Sequence, residues 1–105
     1  MNLLNKAITE QLHKNFPLGA DMEQMVVTKF FDPTGSWSWY VMNMDMDNDY
    51  CWGIVKGFDI EMGSFSLKEL EAFKGKLGIG IERDIHFKPI KALELWERLQ
   101  KGEHV

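Results

Sequence analysis

The run SWSWYVMNM (36–44) limits this chain more than any other stretch. Its residues alternate, so Trp37, Trp39 and Val41 share one face of a strand while Ser36, Ser38, Tyr40 and Met42 share the other. YCWGIVKGF (50–58) resumes the strand pattern after a short Asp- and Asn-rich segment. Two strand-like runs joined in this way predict a hairpin, because Asn and Asp tolerate left-handed backbone and bond to their own main chain. VVTKFF (26–31) precedes them and runs into DPTG (32–35), whose Pro and Gly sit where a type I turn takes them. Connections this short favour an antiparallel meander over a parallel crossover. Since both faces of the central run carry aromatics, part of that set belongs to the core, Trp39 and Trp52 first.

Helical patterns flank the meander. Leu3, Leu4, Ala7, Ile8 and Leu12 recur at helical spacing, with Asn2 or Asn5 to cap the start and Pro17 and Gly19 to stop it. Ser66 followed by Glu69 is a capping box, and Leu67, Leu70 and Phe73 form an apolar stripe that ends at Gly75 or Gly78. IGIERDIHF (79–87) predicts a short strand that buries Ile79, Ile81 and either Ile85 or Phe87. Pro89 suits the first turn of a last helix carrying Ile90, Leu93, Trp96, Arg98 and Leu99. The expected fold is one α+β domain over residues 1–105. It has an antiparallel sheet of about four strands, an N-terminal helix, and two C-terminal helices packed on one face.

A chain of 105 residues, 45% hydrophobic, buries enough surface for one core and needs no metal or disulfide to fold. Cys51 is the only cysteine, which excludes an internal disulfide and a multi-cysteine zinc site. A reducing, cytoplasmic setting fits. No apolar run is long enough for a signal peptide or a membrane span. A net charge of −4 argues against broad adhesion to DNA or to anionic lipid, and no cofactor is expected.

Asp45, Asp47 and Asp49 alternate like the opening of a calcium loop. Such a loop needs Gly at its sixth position and a bidentate Glu at its twelfth, where this chain has Tyr50 and Lys56. A solvated hairpin tip is the better reading. Glu82, Arg83, Asp84, His86 and Lys88 form the densest ionisable cluster. If that segment is extended, Glu82, Asp84, His86 and Lys88 point the same way, and a carboxylate can orient the His86 ring as a general base requires. The plainer reading is an edge strand with solvated charges, because no Ser or Cys nucleophile stands nearby. Cys51, between Tyr50 and Trp52, reads as a small buried hydrophobe. Gly75, Gly78 and Gly80 do not match a phosphate loop. Trp37, Tyr40 and Arg83 are the residues expected to meet a partner.

The order of segments is informative as a whole. KFFDPTGSWSWYV, then WGIVKGFDIEMGSFSLKELE, then GIERDIHFKP, together with the N-terminal LLNKAITEQL, resembles the small proteins grouped as domain of unknown function 2958. The hairpin tip departs from that pattern in being richer in Met and Asp. The resemblance implies carriage on phages, plasmids or integrative elements, with roles in countering a host defence, regulating transfer or accompanying DNA processing. The expected function is therefore a non-enzymatic accessory protein that binds a protein partner. The alternative is a single-strand binder or nuclease using the aromatic face with Lys29, Lys56, Lys88 or Arg83, together with the Glu82–His86 segment.

Overall fold

Asn5 sets the first element. In the computed structural model, which describes residues 3–105, its side chain accepts a hydrogen bond from the Ile8 amide at 2.8 Å and starts helix α1, Lys6–Asn15. Asn2, the other cap considered, lies outside the described residues. The helix tightens into a 3₁₀ turn, Phe16–Leu18, and ends at Gly19, whose φ of 53° is one that glycine adopts freely.

The meander follows as expected and then extends further. Strands β1 (Met25–Val26), β2 (Thr28–Phe31), β3 (Ser38–Met44), β4 (Tyr50–Lys56) and β5 (Ile60–Ser66) lead into helix α2 (Leu67–Ala72). Strands β6 (Glu82–Arg83) and β7 (Ile90–Lys91) come next, and helix α3 (Ala92–Gln100) closes the chain. The main sheet has five strands in the order β5-β4-β3-β2-β6, all antiparallel, and β1 pairs with β7 in a separate two-stranded ribbon. The architecture is α+β. β5 is the strand the sequence reading lacked, since its Glu61, Gly63 and Ser64 dilute any β signal.

Alternation along β3 feeds two cores. Val41 and Met44 join Leu12 of α1, Leu67 and Leu70 of α2, and Cys51. Tyr40 and Met42 join Ile54 and the α3 residues Ala92, Leu95 and Leu99 on the other face. The two C-terminal helices thus lie on opposite faces of the sheet, not on one. α2 starts directly from the end of β5 at one edge, whereas the chain reaches α3 only after passing β6 at the other edge.

A β-bulge makes this arrangement possible. Val41 faces Gly53 and Asn43 faces Trp52, which leaves Met42 as the extra residue on β3. Asn43 is buried, and its amide donates to the Gly19 carbonyl at 2.9 Å and to Gln24 Oε1 at 3.1 Å. The pinned loop then serves α3. The Gln24 and Met22 carbonyls accept from the Ala92 and Leu93 amides, first-turn donors that no capping side chain satisfies.

Three local expectations are corrected. Pro89 does not open the last helix: Ile90 pairs with Val26 in the β1–β7 ribbon, and the helix begins at Ala92. α2 stops at Ala72, ahead of both glycines, because Phe73 already has extended backbone. The IERDIH strand lasts only through Arg83, so of its apolar residues Ile81 and Phe87 pack inward while Ile79 and Ile85 are exposed. No helix among the described residues is long and apolar enough to cross a membrane.

Gly53 has no room for a side chain, since a Cβ there would collide with the Tyr40 carbonyl oxygen beside the bulge. Gly53→Ala is expected to cost about 1–3 kcal/mol in urea denaturation, as overpacking does in tight interiors. Gly63→Ala, at the facing position on β5 with open space around it, is the control that should cost much less.

Candidate interaction groove

Beyond the edge of the α1/α2-side core, the same face of β3 emerges as a groove of about 400 Å³ lined by Asp32, Trp37, Trp39, Glu69, Leu70 and Phe73. Each wall has a local cause. Trp37 and Trp39 sit two residues apart on the extended run, with ring centroids 6.1 Å apart and planes tilted by 35°. Trp37 is held from behind, edge to face against Phe58 at 5.4 Å, and it lies so close over Gly57 that a side chain there would strike the ring. Phe73 faces the groove because the chain leaves α2 one residue earlier, and it stays 44% exposed. Gly75 lets the following loop approach Thr34 of the β2–β3 turn, where a Cβ would come within 2.8 Å of Thr34 Oγ1.

The rim is acidic. Asp32 Oδ1 accepts from the Thr34 amide at 2.9 Å and from Thr34 Oγ1 at 3.0 Å, which fixes the carboxylate at the turn. Glu69 is set in the first turn of α2 by the Ser66 hydroxyl, which accepts from its amide at 3.2 Å. The ion pairs among the described residues join Lys29 to Asp84, Lys91 to Glu23, and Arg98 to Glu94 and Glu103, so neither rim carboxylate has a cationic partner.

The residues expected to meet a partner do not converge. Trp37 lines the groove, but Tyr40 is 1% exposed in the opposite core, with its hydroxyl donating to the Val105 main-chain oxygen at 3.1 Å. Arg83 donates to the Leu3 carbonyl at 2.8 Å and ties β6 to the start of the chain. Sequence reasoning missed Asp32, Glu69, Leu70 and Phe73 as a set. Phe73 continued the α2 stripe and read as core, and only the early end of the helix turns it outward.

The Glu82–His86 cluster is arranged differently from the extended expectation. Asp84 Oδ1 accepts from the His86 backbone amide at 2.9 Å, and Oδ2 lies 3.8 Å from Lys29 Nζ. The carboxylate therefore shapes a turn in place of orienting the imidazole, and His86 is exposed. This turn borders a larger concavity of about 540 Å³ that also involves Lys91, Glu94, Arg98 and Val105, where most charges already have partners. At the hairpin tip two of the three aspartates bond to backbone: Asp45 Oδ1 accepts from the Asp47 amide, and the Asp49 side chain accepts from the Lys68 amide. Among the described residues no three His, Cys, Asp or Glu side chains gather as a metal-binding set.

The model of the protein family DUF2958, described as protein of unknown function, matches residues 3–104. The chain belongs to this family. No curated protein and no solved structure matches it significantly. In this DUF2958 member the groove draws on the DPTG turn, SWSW and SLKELEAF segments, which come together only through the five-stranded sheet.

Burial pushes the Cys51 thiol up to about 12, helped by the negative charges of Asp49 and Glu71. Burial likewise raises Tyr40, opposed by a hydrogen bond with Ser38 and aided by Asp84. Both groups hold their protons more tightly folded than unfolded. The stability they contribute is thus complete below about pH 9 and is lost as pH rises toward the folded values. Urea midpoints are expected to fall above about pH 9, less steeply in Cys51→Val and Tyr40→Phe. At pH 8 a thiol reagent should label Cys51 only after unfolding, and labelling of the native protein would contradict the assigned burial.

Proposed function

We propose that the protein is a non-enzymatic accessory of a phage or other mobile element, acting in the cytoplasm by binding a protein partner through the Trp37–Trp39–Phe73 groove. Countering a host defence is the role that best fits such a binder. The observation that supports this reading is the groove itself: large aromatic surfaces left half-open beside one another, in the way binding hot spots are presented. The mobile-element setting rests on the family resemblance of the sequence. Asp84, turned to backbone and to Lys29, lends catalysis no comparable support.

A nucleic-acid role is disfavoured by the groove's rim. Bases stack on exposed aromatics, but Asp32 and Glu69 would repel the accompanying phosphates.

Trp37→Ala is expected to weaken capture of the partner from host lysate about 30-fold or more, the scale of a hot-spot aromatic, with circular dichroism unchanged. Labelled single strands at low salt should give flat anisotropy titrations. Saturable strand binding that Trp37→Ala abolishes would transfer the groove to the nucleic-acid reading, and partner capture indifferent to Trp37 would overturn the proposal.

A further inference from the structure

We infer that the groove is a receptor for an arginine side chain, so that the partner docks by inserting a guanidinium between Trp37, Trp39 and Phe73 and under the carboxylates of Asp32 and Glu69. This rests on the protein-binding reading above and specifies its chemistry. The walls are nearly all apolar, Leu70 among them, while the polar groups at the rim share one sign. A purely apolar occupant would leave two carboxylates partly desolvated with nothing to pair them, and an anion would be repelled. A cation satisfies both halves of the site: it is attracted to the electron-rich faces of indole and phenyl rings and neutralises the rim.

The chemistry narrows the cation further. A primary ammonium is strongly hydrated and loses much of that hydration in an apolar groove, whereas a guanidinium is planar, weakly hydrated and stacks on aromatic faces. The rim also offers directional acceptors. Asp32 uses Oδ1 on the Thr34 amide and hydroxyl, which leaves Oδ2 without a hydrogen-bond partner among the described residues. Glu69 adds a second carboxylate with no cationic partner among the described residues. Carboxylates presented this way suit the N–H fork of arginine, while a quaternary ammonium has no donor to offer them.

The test reads the indole N–H resonances of the full chain during titration with capped Gly-Arg-Gly peptide at low salt. Those of Trp37 and Trp39 are expected to shift saturably, in the millimolar range usual for one side chain, while those of Trp52 and Trp96 stay still. The neutral citrulline peptide should bind at least tenfold more weakly, and the lysine peptide severalfold more weakly. Asp32→Asn and Glu69→Gln, which keep the Thr34 bonds and the capping geometry, should each weaken the arginine peptide about 1.5- to 5-fold, the scale of a solvent-accessible ion pair. Equal binding of citrulline, tighter binding of a trimethyl-lysine peptide, or no saturable shift would each overturn the inference. If the peptide fails while Trp37→Ala still abolishes partner capture, the arginine inference alone falls. If the peptide binds as expected while capture ignores Trp37, the inference stands for the groove and the protein-partner reading falls.

Discussion

A strand covered on both faces must divide its side chains between two cores, and β3 carries that constraint for the whole molecule. Val41 and Met44 lie under α1 and α2, and Tyr40 and Met42 lie under α3. The bulge at Met42 lets an extra residue enter the strand, and Gly53 opposite provides the space. Asn43 then fixes the loop whose carbonyls receive the first amides of α3. The bonds from Asn43 to Gly19 and Gln24 are made in the interior and specify where the second layer docks, while the indole N–H of Trp52, which faces Asn43 across the bulge, is buried without a hydrogen-bond partner among the described residues.

The groove is a consequence of the same alternation. Progressing from Met44 back toward Trp37, the α1/α2 face of β3 runs out from beneath the helices, and its side chains pass from buried to half-exposed. Trp39 both packs against the core and lines the groove, while Trp37 relies on Phe58 and Gly57 for support. Trp39, packed against the core, loses little freedom on binding, which favours recognition by a preformed surface.

The periodicity of the meander made β2, β3, β4, the DPTG turn and the face assignments of Trp37, Trp39, Tyr40 and Val41 legible in the sequence. So was the Ser66 cap, and Asn5 as one of two candidates for the first, because capping depends on one side chain and the local backbone. β5 was not, since Gly63 and Ser64 carry no strand preference and only pairing with β4 makes them one. The opposite placement of α2 and α3 depends on where β6 docks, a long-range fact that no local pattern encodes. For the candidate site, Trp37 was legible as an unburied aromatic. Asp32, Glu69 and Phe73 were not, because each has an adequate local explanation as a turn, cap or core residue. The charges of Glu82, Asp84 and His86 drew attention by density, yet the backbone turns at Asp84 and separates them.

The two-faced burial of β3 is the claim on which the groove and its proposed chemistry depend, and methyl-to-methyl nuclear Overhauser effects test it directly. Among the helices, Val41 should show contacts to leucines of α1 and α2 and none to α3, and Ile54 to Leu95 and Leu99 of α3 and none to α1 or α2. Contacts from Val41 and Ile54 to the same helix would contradict the account, because the Trp37–Trp39 face would then have no reason to emerge between α2 and the β2–β3 turn.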